Sequence, residues 1–193
     1  KFPCGKIKNL TVSRLFCGGN LIGGWAHSRD LLYVNTLVKS YHTDAKVFDT
    51  LELAEEHGIN AILTNPVSDR VINAYWKERG GRIQWISDCA FGNDLKAGIT
   101  RSIDNGAHAV YVQGGIADRL VHEGKYDEIA AALDLMRTAG VPGGIGAHCL
   151  ETVQGCVNAK LDPDFWVKTL HSDDYWSASP KEERQKGQIP PHA

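Results

Sequence analysis

The chain has 193 residues, a formal charge of −2, and a hydrophobic share of 42% against 23% charged residues. That length and balance suit one globular domain with a buried core and exclude disordered or fibrous classes. No apolar run nears the roughly 20 residues that span a bilayer, and Lys and Arg are scattered singly, so membrane anchoring and a nucleic-acid footprint are set aside.

The five cysteines, Cys4, Cys17, Cys89, Cys149 and Cys156, form no C-x-x-C pair and no zinc-ribbon spacing. An odd number fits a disulfide framework badly, so reduced thiols and a cytoplasmic setting are expected. Residues Lys1 to Lys8 are too polar for a signal core. A chain that opens without Met nevertheless leaves room for an upstream segment, a removed signal included.

In chain order, the first predicted strand covers Ser13 to Gly18. The segment from Trp25 to Tyr41 is long for a connection between strand and helix, and it is expected to form a short helix over a pocket. It carries His27, a candidate substrate contact, and Arg29, which suits either a substrate carboxylate or phosphate or a surface ion pair.

A helix then starts at Thr43 or Asp44, with Val47, Phe48, Leu51 and Ala54 on one face and Glu52, Glu55 and Glu56 opposite. From its end a unit recurs four times: a helix closed by Gly, then at once a short apolar run. The junctions are Glu56 to Leu63, Gly80 to Ile86, Asn105 to Val112 and Ala139 to Ile145. Glycine past a helix accepts the left-handed conformation that ends the last turn, so each junction stops a helix and starts a strand. The fourth helix shows Ile129, Leu133 and Met136 on one face, and a last strand is predicted over Phe165 to His171.

Six strands alternating with five helices through short loops imply right-handed crossovers and a parallel sheet, either an open doubly wound sheet or a (β/α)8 TIM-type barrel. A full barrel takes about 250 residues. The expectation is one barrel-type domain over residues 1–193 with about six strands, its final units removed, disordered or supplied by a partner, and a polar loop or tail over 177–193.

The segment Leu10-Thr11-Val12-Ser13-Arg14-Leu15-Phe16-Cys17-Gly18-Gly19-Asn20-Leu21-Ile22-Gly23-Gly24 resembles the opening of the aldo/keto reductases, and Leu53-Ala54-Glu55-Glu56-His57-Gly58-Ile59-Asn60 is similar to that family's first helix running into its second strand. The resemblance covers the N-terminal third. It implies a barrel, a nicotinamide cofactor such as NADP, and hydride transfer assisted by an Asp, Tyr, Lys and His tetrad. Those positions fall on Leu63-Thr64, on Pro66 to Asp69, near Ser87 or Asp88, and near Gln113, and none supplies the expected group. The reading is therefore the reductase scaffold with different chemistry.

In any such barrel the C-terminal strand ends face the pocket. They offer Cys17, Asn20, Asn65, Asp88, Gln113, His148 and His171. Asp88, His148 and His171, joined by Glu151, could hold a divalent metal ion with open positions for substrate. Without metal, His148 or His171 could serve as general base near neutral pH, and Glu151 would be a first-turn helix residue favoured by the dipole. Asn20, Asn65 and Gln113 suit hydrogen bonds to substrate oxygens, although Gln113-Gly114-Gly115 and Asn65-Pro66 also read as turns. His42, His57, His108 and His122 are taken as surface residues.

Three functions are compatible with this pattern. The first is a lyase, isomerase or hydrolase acting on a small sugar-like or carboxylated metabolite, with catalysis by Asp88, His148 and His171. The second is an NADP-dependent reductase with a rebuilt tetrad. The third is a non-catalytic barrel that binds a ligand, a second copy or a companion chain at its open edge.

Overall fold

A computed structural model describes residues 2–26, 31–92 and 94–170. Two short strands come first, β1 (Cys4–Ile7) and β2 (Leu10–Ser13), paired antiparallel with Ile7 opposite Leu10. Lys8 in their turn has φ +48°, the left-handed conformation that a two-residue hairpin loop requires.

Six parallel strands follow, hydrogen-bonded in sequence order: β3 (Cys17–Gly18), β4 (Ala61–Thr64), β5 (Gln84–Ser87), β6 (Ala109–Val112), β7 (Gly143–Ala147) and β8 (Phe165–Lys168). Between β3 and β4 lie α1 (Leu32–Tyr41) and α2 (Asp44–Glu56), and α3 (Asp69–Arg79) joins β4 to β5. Next come α4 (Leu95–Asp104), the consecutive pair α5 (Gly114–His122) and α6 (Tyr126–Thr138), and α7 (Leu150–Asn158). No helix among the described residues is long and apolar enough to cross a membrane.

The strand order decides between the two architectures. A doubly wound sheet reverses direction part-way and carries helices on both faces. Here the order never reverses. One face of the sheet, through Ile62, Trp85, Val110 and Ile145, merges with Leu51, Ile72, Ile99, Leu120, Ile129 and Met136 of the helices into a single core. On the other face Ile86, Ala109 and Tyr111 pack with Leu63, Phe165, Val167 and the hairpin residues Ile7 and Leu10, with no helix residue among them. Helices α2 to α7 on one side only, over strands in unbroken order, make a curled α/β sheet of six strands, an incomplete (β/α) barrel.

The hairpin stands at the N-terminal end of this sheet. Asn60, at the entry to β4, accepts from the Ser13 N–H at 2.7 Å and donates to the Thr11 carbonyl at 3.0 Å. Gln84 donates to the same carbonyl at 2.9 Å, and Lys8 pairs with Asp164 just before β8 at 2.9 Å. The strand predicted over Ser13 to Gly18 is thus two elements: Ser13 closes the hairpin, and barrel pairing begins at Cys17.

Thr43 is the N-cap of α2, accepting from Lys46 N–H. A helix does form in the long first connection, as α1, whereas His27 and Arg29 lie outside the described residues. So do 171–193, and with them His171 and the predicted tail. Gly58, Gly80, Gly106 and Gly140 have φ between +66° and +88°, which bears out the four helix stops. His108 is a correction. It is half-buried, its Nδ1 accepts from the Trp85 N–H at 3.3 Å, and its ring meets Trp76 edge-on at 5.7 Å. The helix α5 is not evident in the sequence because it opens on Gly114-Gly115. Its start is secured instead by the Gln113 side-chain oxygen, which accepts from the Ile116 N–H at 3.0 Å.

Candidate functional site

The C-terminal end of β7 brings α5 and α7 together around one imidazole. His148 Nδ1 lies 2.8 Å from the Asp118 carboxylate on α5. The same carboxyl group accepts from Thr152 Oγ1 at 2.6 Å and from the backbone N–H groups of His148 at 3.2 Å and Cys149 at 3.4 Å. Burial works against the charge on Asp118, but the hydrogen bonds from His148 and Thr152 outweigh it and hold the carboxyl below its usual range. An ionised Asp118 takes its hydrogen bond from Nδ1–H, which leaves Nε2 as the ring nitrogen turned away from that contact.

Two glycines make that approach possible. A Cβ on Gly114 would lie 2.9 Å from Cε1 and 3.1 Å from Nδ1 of His148, and one on Gly146 would lie 2.6 Å from the backbone nitrogen of Gly114. The small run Gly143 to Ala147 therefore lets the start of α5 settle directly on β7. Lys168, at the end of β8, donates to the carbonyls of His148 and Thr169, each at 2.7 Å, and so ties the neighbouring strand end to the same residue.

Asp88 follows β5 at the same end of the sheet. Its Oδ1 accepts from the Ala90 N–H at 2.9 Å, and burial raises its carboxyl to about 6, with that hydrogen bond acting the other way. Next to it Cys89 is buried with φ +57°, a left-handed conformation rare for a side chain other than Gly. Burial pushes its thiol up to about 12, so it is held as the inert thiol rather than a nucleophile.

The remaining candidates have plainer surroundings. Gln113 caps α5. Asn65 is buried, within 3.5 Å of the Ser68 hydroxyl, and precedes a 3-10 turn over Pro66–Ser68. Asn20 is exposed and its carbonyl accepts from the Trp25 N–H at 2.9 Å. Glu151 is exposed in the first turn of α7. Among the described residues no three His, Cys, Asp or Glu side chains gather to hold a metal ion, so Asp88, His148 and Glu151 do not form one ligand set. His148 takes Asp118 as its partner instead. A groove of about 830 Å³ lies among α4, α5 and α6, lined by Leu95, Ile99, Ile116, Arg119 and Leu135. It follows the helical layer rather than the interior of the barrel.

Nothing in the sequence alone singles out Asp118, Thr152 or Lys168. An Asp one turn into a helix that opens on two glycines and a Lys inside a predicted strand carry no spacing signal that links them to His148.

No family model matches the chain, and no curated protein matches it. Among solved structures it is similar to a "putative deoxyribose-phosphate aldolase" from Coccidioides immitis, with TM-score 0.50 and 15% identity over 67% of this chain and 55% of that one. It also matches the tetrameric deoxyribose phosphate aldolase of Aeropyrum pernix, with TM-score 0.47 and 15% identity over 66% of this chain and 57% of that one. The chain thus spans little more than half the length of these proteins. The resemblance to aldo/keto reductases is corrected by these findings, and it no longer supports a nicotinamide cofactor. The residues that carried it have local explanations: Leu10 to Ser13 belongs to the hairpin, and Gly58-Ile59-Asn60 is a helix stop of the kind that recurs at Gly80, Gly106 and Gly140. The likeness to the aldolase at 15% identity is one of fold, an α/β barrel.

Proposed function

We propose that this barrel is an enzyme of the lyase or isomerase type that moves a proton next to the carbonyl of a small hydroxylated metabolite, with His148 as the base and Asp118 as the residue that orients it. The observation that carries this reading is the 2.8 Å contact between Asp118 and His148 Nδ1 at a C-terminal strand end. Histidine is the side chain suited to proton transfer near neutral pH, this one is held through Nδ1 by Asp118, and the group is a quarter exposed, open to a small molecule. Aldol addition and sugar isomerisation share one first step, removal of the proton alpha to a carbonyl, and aldol cleavage ends on the reverse of that step; each needs a placed base and a group to receive the oxygen's charge. The fold likeness to an aldolase is compatible with this chemistry without supplying it.

The test is exchange with solvent. Short hydroxy-ketones and hydroxyaldehydes are incubated with the protein in deuterated buffer, and incorporation of deuterium alpha to the carbonyl is followed by proton NMR. Wild type is expected to catalyse exchange on at least one of them and His148→Ala to lose it. Equal exchange by both proteins would remove His148 from the reaction.

A further inference from the structure

Asp88 stands beside a row of side chains on the inner face of the barrel. The pairing of Ser87 with Val110 sets Asp88, one residue on, alongside Tyr111. Tyr111 is opposite Gly144 in the register of β6 and β7, and Gly144 is opposite Phe165 in that of β7 and β8. Gly144 leaves the gap that the rings need, since a Cβ there would come within 2.7 Å of the Phe165 ring. Tyr111 and Phe165 meet edge-on across it at 6.2 Å. The row is therefore an aromatic floor with one carboxyl group at its side. Ile86 faces the inner cluster, and Asp88, two residues on, shares its side of the strand.

His148 leaves β7 four residues beyond Gly144, above that floor. β5 and β7 are separated by one strand, roughly 10 Å across the sheet, and His148 lies roughly 13 Å further along the strand direction than the level of Asp88; the curl of the sheet turns both residues toward the mouth, where a small molecule would lie between them.

We propose that Asp88 is the second proton-transfer group of this site: the substrate is a short hydroxy-ketone or hydroxyaldehyde whose carbonyl oxygen rests on the Asp88 carboxyl, above Tyr111 and Phe165, with its neighbouring C–H toward His148. This rests on the reading of His148 as base. His148 Nε2 takes the alpha proton, the C–H electron pair forms the carbon–carbon double bond, and the carbonyl π pair moves onto oxygen, which takes the proton of Asp88. The products are a neutral enediol, an imidazolium and a carboxylate, and the reverse step returns a solvent proton to carbon. Burial favours the protonated acid on Asp88, the form this step requires.

The experiment uses the full chain and dihydroxyacetone as probe. Deuterium exchange into its methylene groups and saturation transfer from protein to the same protons are read for wild type, Asp88→Asn, Asp88→Leu and His148→Ala, with circular dichroism to confirm that each is folded. Asp88→Asn keeps the acceptor for the Ala90 N–H and nearly the same volume. It is expected to bind the probe within about twofold of wild type and exchange it about 100-fold more slowly, the scale of general acid catalysis. Exchange by Asp88→Asn within twofold of wild type overturns the proposal. Should wild type bind without exchanging, the reading of His148 has failed and Asp88 is judged on contact alone. Loss of saturation transfer in Asp88→Leu, retained in His148→Ala, then supports the contact, and unchanged transfer overturns it. A wild type that neither binds nor exchanges the probe overturns both.

Discussion

Asp118 and His148 are 30 residues apart in the chain and 2.8 Å apart in the fold. The carboxylate that holds the ring also accepts the backbone N–H of His148 and the hydroxyl of Thr152, so it joins the end of β7 to the starts of both flanking helices. Replacing it touches stability and chemistry together.

Asp118→Asn presents an N–H where acceptors are needed and breaks several charge-assisted bonds at once, so it is expected to cost about 2–4 kcal/mol of stability at neutral pH. The folded carboxyl is held below its unfolded range, so this contribution is present above about pH 4 and is lost as pH falls through the folded value. Urea midpoints of wild type and Asp118→Asn should accordingly lie far apart at pH 7 and converge in acid. A gap that stays constant down to pH 2 would show that the ionised carboxylate is not what stabilises this junction.

Asp88 gives the opposite sign. Its carboxyl is raised to about 6 by burial, so the folded protein holds a proton that the unfolded chain releases near pH 4, and stability falls as pH rises from about 4 to about 6. The penalty above that range is at most about 3 kcal/mol, because each tenfold change in proton affinity corresponds to about 1.4 kcal/mol. Asp88→Asn is expected to match wild type at pH 4 and exceed its stability at pH 8. A group that weakens the fold at neutral pH fits a site better than a structural role. Equal stability of the two proteins at pH 8 would contradict the burial of a charged Asp88.

Much of the scaffold is legible in the sequence because its punctuation is local. Gly58, Gly80, Gly106 and Gly140 each end a helix for the same conformational reason, and the apolar runs after them are short enough only for strands. His148 and Asp88 are visible for a related reason, as polar residues directly after apolar runs. What the sequence hides depends on contacts across the fold. Asp118 sits on a helix whose first two residues, Gly114 and Gly115, are poor helix formers, and its partnership with His148 exists only because α5 rests on β7. The hairpin is hidden too, because Leu10 to Ser13 has a strand's composition whether it pairs within the barrel or with Cys4–Ile7.

The resting of α5 on β7 can be tested directly. Gly146→Ala would place a methyl group 2.6 Å from the backbone nitrogen of Gly114, which cannot rotate away, whereas Gly114→Ala would press on the His148 ring at 2.9 Å. The first is expected to lower stability by about 1–3 kcal/mol, as overpacking does. The second should cost less and chiefly displace the ring, changing the His148 proton shifts in NMR spectra. Two variants with unchanged melting and unchanged His148 shifts would mean that the helix start is looser than this contact requires.

The other end of the barrel should separate stability from chemistry. The Asn60 side chain accepts from Ser13 N–H and, with Gln84, donates to the Thr11 carbonyl, so Asn60→Ala removes two bonds that hold the hairpin under the inner core and should cost about 1–3 kcal/mol. Faster hydrogen exchange is expected at Ser13 N–H, which loses its acceptor. Function in such barrels is confined to the C-terminal strand ends, with the N-terminal face serving stability. At a temperature where the variant remains folded, its deuterium exchange on dihydroxyacetone should therefore equal that of wild type. Loss of that activity without unfolding would show that the hairpin shapes the mouth through the Tyr111 and Phe165 floor, which its Ile7 and Leu10 support from below.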